Sequence, residues 1–216
     1  MKNRIHATLA KHAIRYEQSS DLFGKSGREF LEKTSGALPE QTRFSLLELL
    51  SELDLVSGKI ATFETRMQEV FAESEEVRLL RSIPGIGFIL AVVIASEIGD
   101  VSRFPSSAHF ASYAGTTPRV HASGGKVRYG QVRSDVNRYL KWGFAEAANT
   151  ICQLRRRWTG RHVSELYNRV KLRRGHQTAI GAVSRHLAES VYWVLRKREP
   201  YREPKGSAYS VSSTKG

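Results

Sequence analysis

The 216 residues carry 34 Lys and Arg against 21 Asp and Glu, a net charge of +13, with 40% hydrophobic residues and one cysteine. This length and apolar content suit a compact domain with extensions, and a lone Cys152 excludes a disulfide framework or a cysteine-built metal site and fits a reducing cytoplasm. No secretory apolar core opens the chain, and the longest apolar run, Phe88 to Ala95, is far short of the roughly 20 residues that span a bilayer.

The charge is not spread evenly. Residues 1–75 hold 10 Lys and Arg against 12 Asp and Glu, and residues 76–216 hold 24 against 9, so the two parts carry −2 and +15. An excess confined to one part marks an electrostatic footprint for nucleic acid, and no long amphipathic basic helix supports a membrane surface instead.

In chain order, Lys2 to Tyr16 reads as a helix with Ile5, Leu9 and Ala13 along one stripe. A short helix near Arg28–Lys33 follows, and Ser35-Gly36-Ala37-Leu38-Pro39 breaks the chain; residues 1–37 are expected to be linker helices. Between 38 and 75, Leu46, Leu49, Leu53, Val56, Ile60, Phe63, Met67 and Val70 recur at alternating spacings of 3 and 4, the a/d pattern of a coiled coil. The seam is about 37 Å long at about 1.5 Å per residue. A homo-oligomeric coiled coil and an intramolecular hairpin closed by the first helix both satisfy it, with self-association the preferred reading.

Residues 76–200 read as a basic helical domain. Leu79 to Ala91 contains Ile-Pro-Gly-Ile-Gly and resembles a helix-hairpin-helix, in which glycines admit a phosphate to the amides of the second helix, so Gly85 and Gly87 are candidate phosphate-binding positions. Asp100 and Ser106 are predicted N-caps, with a helix from Ser107 to Ala114. Pro118 to Tyr129 is expected to form a hairpin or ordered loop. Ser134 and Asp135 are expected to cap a helix from Val136 to about Arg156, buried through Leu140, Phe144, Ala147, Ile151 and Leu154. Two more helices are predicted, Arg161–Arg174 and Thr178–Arg198, before a tail over 201–216 expected to be disordered. His162, His176 and His186 lack partners at metal spacing and are read as structural or DNA-facing.

The chemistry concentrates between Gly115 and Leu140. Ser123 precedes a Gly-Gly turn, with Arg119, Lys126, Arg128, Arg133 and Arg138 spaced around it. A hydroxyl attacking a phosphodiester loses its proton while negative charge builds on the phosphoryl oxygens, and guanidinium groups stabilise that charge. Residue chemistry alone leaves two readings open: a displayed nucleophile, or an ordinary turn whose basic neighbours grip DNA.

The succession Lys2-Asn3-Arg4-Ile5-His6-Ala7, Ile83-Pro84-Gly85-Ile86-Gly87, Glu97-Ile98-Gly99-Asp100, Arg103-Phe104, Tyr113-Ala114-Gly115, Pro118 and Ser123-Gly124 resembles the C-terminal region of insertion sequence 110 family transposases. The resemblance covers nearly all of residues 1–200. It implies a mainly α-helical fold, a coiled coil joined to a DNA-recombining module, and Ser123 as the nucleophile that links covalently to DNA, with Ser134 as runner-up. It also implies element-end and target DNA as partners, a guide RNA from the element, and a bacterial, nucleoid-associated setting. The family's RuvC-like module with its DEDD carboxylates is expected to precede the point where this chain starts, so Mg2+ is expected there and no cofactor here. Glu97 and Asp100, the only close acid pair of the basic part, are read as helix-end and capping residues. Three hypotheses follow: a transposase fragment complemented by the acidic module, a non-catalytic dimeric DNA- or RNA-binding remnant, or a coiled-coil adaptor.

Overall fold

The computed structural model describes residues 1–204 except 20, 73, 124, 125 and 133; the side chains of 120–123, 126–129, 131 and 132 also lie outside the description. The chain is mainly α-helical and divides into two compact units, Met1–Glu69 and Val70–Gly216.

The first unit is built from α1 (Lys2–Lys11), α2 (Lys25–Ser35) and most of α3 (Glu40–Phe71). Ile5 and Leu9 of α1, Leu31 of α2, Leu22 and Leu38 of the connections and Leu46, Leu49 and Leu50 of α3 form one core. Residues 1–37 are therefore not a linker: they fold onto the start of α3. The first helix stops at Lys11, short of the expected Tyr16, because the chain reverses at Ala13 (φ 54°). Tyr16 is drawn to the second helix instead, its hydroxyl 2.8 Å from that of Ser26 and its ring 5.0 Å from Phe30. The second helix is longer than predicted, and Arg28 ties it to α3 through two hydrogen bonds to the Asp54 carboxylate, 3.1 and 2.6 Å.

Along α3 the apolar periodicity produces one unbroken 32-residue helix that passes through Gly58. Leu46 and Leu49 are buried, but Val56, Ile60, Phe63 and Val70 are 39%, 52%, 71% and 57% exposed. The beginning of the seam is covered by α1 and α2; most of the rest faces outward.

The second unit contains α4 (Glu75–Leu80), α5 (Phe88–Ile98), a 3-10 turn (Val101–Arg103), α6 (Ser107–Tyr113), strands β1 (Pro118–Ser123) and β2 (Lys126–Val132), α7 (Arg138–Gln153) and α8 (His162–Lys197). Helix α7 packs between α5 and α8, while α4 and α6 also pack on α8. Ile94, Phe110, Leu140, Phe144, Val163 and Leu187 are completely buried and form part of its apolar interior. Asp100 and Ser106 cap as their residue types predict, accepting from the amides of Ser102 and His109. The two expected basic helices run on as α8, with the non-helical Gly175 (φ 83°, ψ 174°) marking the junction.

The expected disordered tail begins too early at 201. The Tyr201 amide donates to Ser82 Oγ at 2.7 Å, and the Glu203 carboxylate accepts from the His162 amide at 3.1 Å with Arg161 3.7 Å away. Burial and the charge of Glu203 push the Tyr201 phenol well above its ordinary pKa. Tyr201 and Glu203 therefore belong to the packed domain, because their polar groups meet partners on two other segments.

Candidate nucleic-acid interface

The hairpin that carries Ser123 is rooted between α6 and α7. Thr116 is buried, and both its amide and its hydroxyl donate to the Ala111 carbonyl, at 3.0 and 2.9 Å. Gly115 takes φ +66°, and a β-carbon there would stand 2.7 Å from Val136 Cγ2, so only glycine lets the chain turn this tightly against the residues leading into α7. Beyond the root, β1 and β2 pair antiparallel with Ser123 opposite Lys126, His121 opposite Arg128 and Val120 opposite Tyr129. An irregularity between Pro118 and Val120 brackets Arg119, which is exposed. Gly124, Gly125 and Arg133 lie outside the described residues, as do the side chains of Ser123, Lys126 and Arg128.

Past the hairpin, Ser134 is exposed but does not cap α7. That role falls to Asn137, whose Oδ1 accepts from the Leu140 amide at 2.9 Å. The later start follows from the side of Asn137 facing away from the helix. Its Nδ2 donates to Glu97 Oε2 at 2.6 Å and lies 3.4 Å from the Tyr113 hydroxyl, while its amide donates to the Tyr113 carbonyl at 2.9 Å. Three elements meet at this one amide side chain: the end of α5, the end of α6 and the start of α7. Arg103 closes the group with its guanidinium 4.5 Å from the Phe104 ring centre and 4.9 Å from that of Tyr113. The hydrogen bond from Asn137, then that from Arg103, hold the Tyr113 phenol below its ordinary pKa. Arg138, the first residue of α7, is exposed beside this junction.

Glu97 sits at the end of α5 and Asp100 caps the 3-10 turn, as their places in the sequence predict. Hydrogen bonds from the Ser102 hydroxyl and amide keep the Asp100 carboxyl below its usual pKa. The hub at Asn137 is not among the expected caps. The signal was present, since Asn is among the strongest N-cap residues and stands three before the first buried leucine of α7.

At the Pro-Gly-Ile-Gly turn the two glycines face different surroundings. Gly85 adopts φ +80°, and a β-carbon on it would lie 2.6 Å from the Ala147 carbonyl oxygen and 3.0 Å from the Ile151 side chain. The close approach that Gly85 permits is thus to α7, inside the protein. Gly87 is open, with nothing within 4 Å of a would-be β-carbon, and it heads α5 in an extended conformation. Arg81 stands nearby, its guanidinium 6.0 Å from the Phe88 ring centre. Of the pair, Gly87 fits anion binding at the helix's free amides.

Among the described residues no three His, Cys, Asp or Glu side chains gather in a group that could hold a metal ion. None of their helices is long and apolar enough to cross a membrane.

Residues 77–164, from α4 through the hairpin and α7, match the family model for transposases of the IS116/IS110/IS902 family. Over this segment the chain is similar to that transposase family. It is 26% identical over 167 residues to a probable family 20 transposase of Pseudomonas aeruginosa, covering 77% of this chain and 49% of that protein. Against the transposase for insertion sequence element IS1111A of Coxiella burnetii it is 23% identical over 207 residues, covering 93% and 55%. A pilin gene-inverting protein of Moraxella bovis is 52% identical over 46 residues, 21% of this chain and 14% of that protein. The chain spans about half the length of the first two relatives.

Proposed function

We propose that this chain supplies the strand-cutting and DNA-holding part of an insertion-sequence transposase, with Ser123 as nucleophile. What supports the reading is the family-matching segment, within which the backbone of Ser123 pairs with Lys126 and that of His121 with Arg128 across the hairpin. In the proposed step, Ser123 Oγ attacks phosphorus of a DNA phosphodiester. The Oγ–P bond forms as the bond to one deoxyribose oxygen breaks, and the proton given up by the serine ends on that departing oxygen. Rejoining reverses the step with a different strand's hydroxyl. Arg119, Lys126, Arg128, Arg133 and Arg138 are proposed to stabilise the phosphoryl oxygens or hold flanking phosphates, where each aligned donor is worth most as charge develops. The amides headed by Gly87 add a neutral phosphate site. The exposed positions of α3 are proposed to pair with a second copy, and the element's own RNA and an acidic Mg2+-binding module are further proposed partners.

The decisive experiment incubates the chain with element-end DNA, with and without a RuvC-like module supplied in trans, and resolves denaturant-resistant protein–DNA adducts. An adduct that persists in Ser134→Ala and disappears in Ser123→Ala is expected; the reverse pattern moves the nucleophile to Ser134. Salt-sensitive DNA binding with no adduct under either condition favours the non-catalytic binding reading, and absence of binding at any salt removes nucleic acid as partner.

A further inference from the structure

The chain has three tryptophans. Two already have cations over their rings: Arg161 stands 5.1 Å from the Trp158 ring centre, and Lys197 stands 5.5 Å from that of Trp193. Trp142 is different. It is 47% exposed on α7, and Tyr139, one turn earlier on the same side, is 65% exposed. Among the described residues neither ring makes an aromatic or cation contact.

Positions three apart on a helix are neighbours, so the two rings lie side by side. Arg138 and Lys141 are exposed next to them, and the first turn of α7 contains no acidic residue. Lys141, about 100° round the helix from Trp142, lies toward the hairpin root: its Cδ would come within 3.3 Å of a β-carbon on Gly115. Around α7 the exposed order is therefore Lys141 at the hairpin root, then Arg138, then the two bare rings of Trp142 and Tyr139.

We infer that Tyr139 and Trp142 form a stacking platform for unpaired bases of single-stranded DNA, with Arg138 and Lys141 holding the adjoining phosphates. A flat ring can stack only on a base whose face is free, which a paired duplex offers only at its ends. A second copy of the chain is a poor occupant, since its own face would bring the same cations against these. The rings are also small beside the roughly 800 Å² per partner of a stable protein interface. The inference rests on the proposed nucleic-acid binding but not on the serine step.

The test measures binding at fixed salt to an oligothymidylate of about 16 nucleotides, to an abasic strand of equal length and charge, to the matching RNA and to duplex DNA. Wild type is expected to prefer the base-bearing DNA strand over the abasic one by on the order of tenfold or more. The Tyr139→Ala/Trp142→Ala double variant should lose that preference while keeping duplex affinity, and Tyr139→Phe/Trp142→Phe should retain it. Because both positions are exposed, folding is checked by an unchanged melting curve. If base-bearing and abasic strands bind alike, or the double variant keeps the preference, the platform is wrong although duplex binding persists. Failure to bind any of the four removes the nucleic-acid reading itself. A stronger ring dependence for RNA overturns the DNA assignment, and a changed sedimentation coefficient in the double variant makes the face an interface between copies.

Discussion

Helices α3 and α7 both carry apolar residues down one side, yet α7 buries Leu140, Phe144, Ala147, Ala148 and Ile151 whereas α3 buries only Leu46, Leu49 and Leu50 near its start. The difference lies in what each helix has to pack on. Helix α7 is enclosed by α5 and α8, whose own interior faces are Ile94 and Ile98, and Val183 and Leu187. Helices α1 and α2 are 10 and 11 residues long and can cover only a few turns of a 32-residue neighbour. Periodicity identifies the apolar side of a helix; the length and placement of its neighbours decide how much of that side is satisfied within one chain.

The sharpest way to break this contrast is to truncate one phenylalanine on each helix. Phe144 is completely buried and packs edge-to-face on Phe110, with ring centres 6.1 Å apart. Phe144→Ala is expected to cost about 3–5 kcal/mol of unfolding free energy through lost transfer and an unfilled cavity. Phe63 is 71% exposed, and Phe63→Ala should leave the dilute monomer within about 0.5 kcal/mol while weakening concentration-dependent self-association. Urea unfolding at low concentration and sedimentation across a concentration series separate the two. Equal destabilisation by both changes means that the α3 seam is already covered in the monomer, and the contrast collapses.

A second test asks whether α8 is a sealed element, as its place beside α7 requires. The His186 ring lies 4.7 Å from that of His162, centre to centre, tilted by 47°, and burial, with a smaller contribution from the neighbouring His162, pulls its pKa down to about 4. The unfolded chain takes up this proton near the ordinary value of about 6.5, and the folded chain resists until about 4. Stability from this residue is therefore complete above about pH 6.5 and declines as pH falls toward 4, by up to about 3 kcal/mol. Carboxylates also titrate toward the lower end, so the measurement is the difference between wild type and His186→Gln by denaturant unfolding across that range. The variant should show a flatter profile. Parallel profiles would mean that His186 is solvated and α8 is open there.

Much of this fold is legible in the sequence because its signals are local. Asp100 and Ser106 cap short segments with their own side chains, Gly115 stops α6, and the residues from Pro118 do form a hairpin. The candidate site is proposed from a signal of the same local kind: Ser123, its glycines and its cations are near neighbours along the chain. What escaped depends on residues distant in sequence. The packing of Tyr201 and Glu203 is set by Ser82 and His162, more than 40 positions upstream in the case of His162. The inward role of Gly85 is decided by Ala147, and Leu154, expected in the α7 stripe, is 47% exposed because the helix ends one residue earlier. No local rule reaches those partners.

The start of α7 yields the smallest effect. By residue type, Ser134 and Asn137 are both acceptable N-caps, and only contacts to other elements choose between them. Asn137 has those contacts, with Glu97 on α5 and Tyr113 on α6, and Ser134 is exposed ahead of the helix. Asn137→Ala should cost about 1–2 kcal/mol from the lost cap, at the upper end because Glu97 also loses its donor. Ser134→Ala should stay within about 0.5 kcal/mol. The pair also guards the interpretation of the adduct experiment: a serine whose removal leaves stability unchanged can report on chemistry alone. If Ser134→Ala destabilises the chain as much as Asn137→Ala, then α7 begins at Ser134 after all, and loss of adduct in that variant would reflect a displaced hairpin root instead of a missing nucleophile.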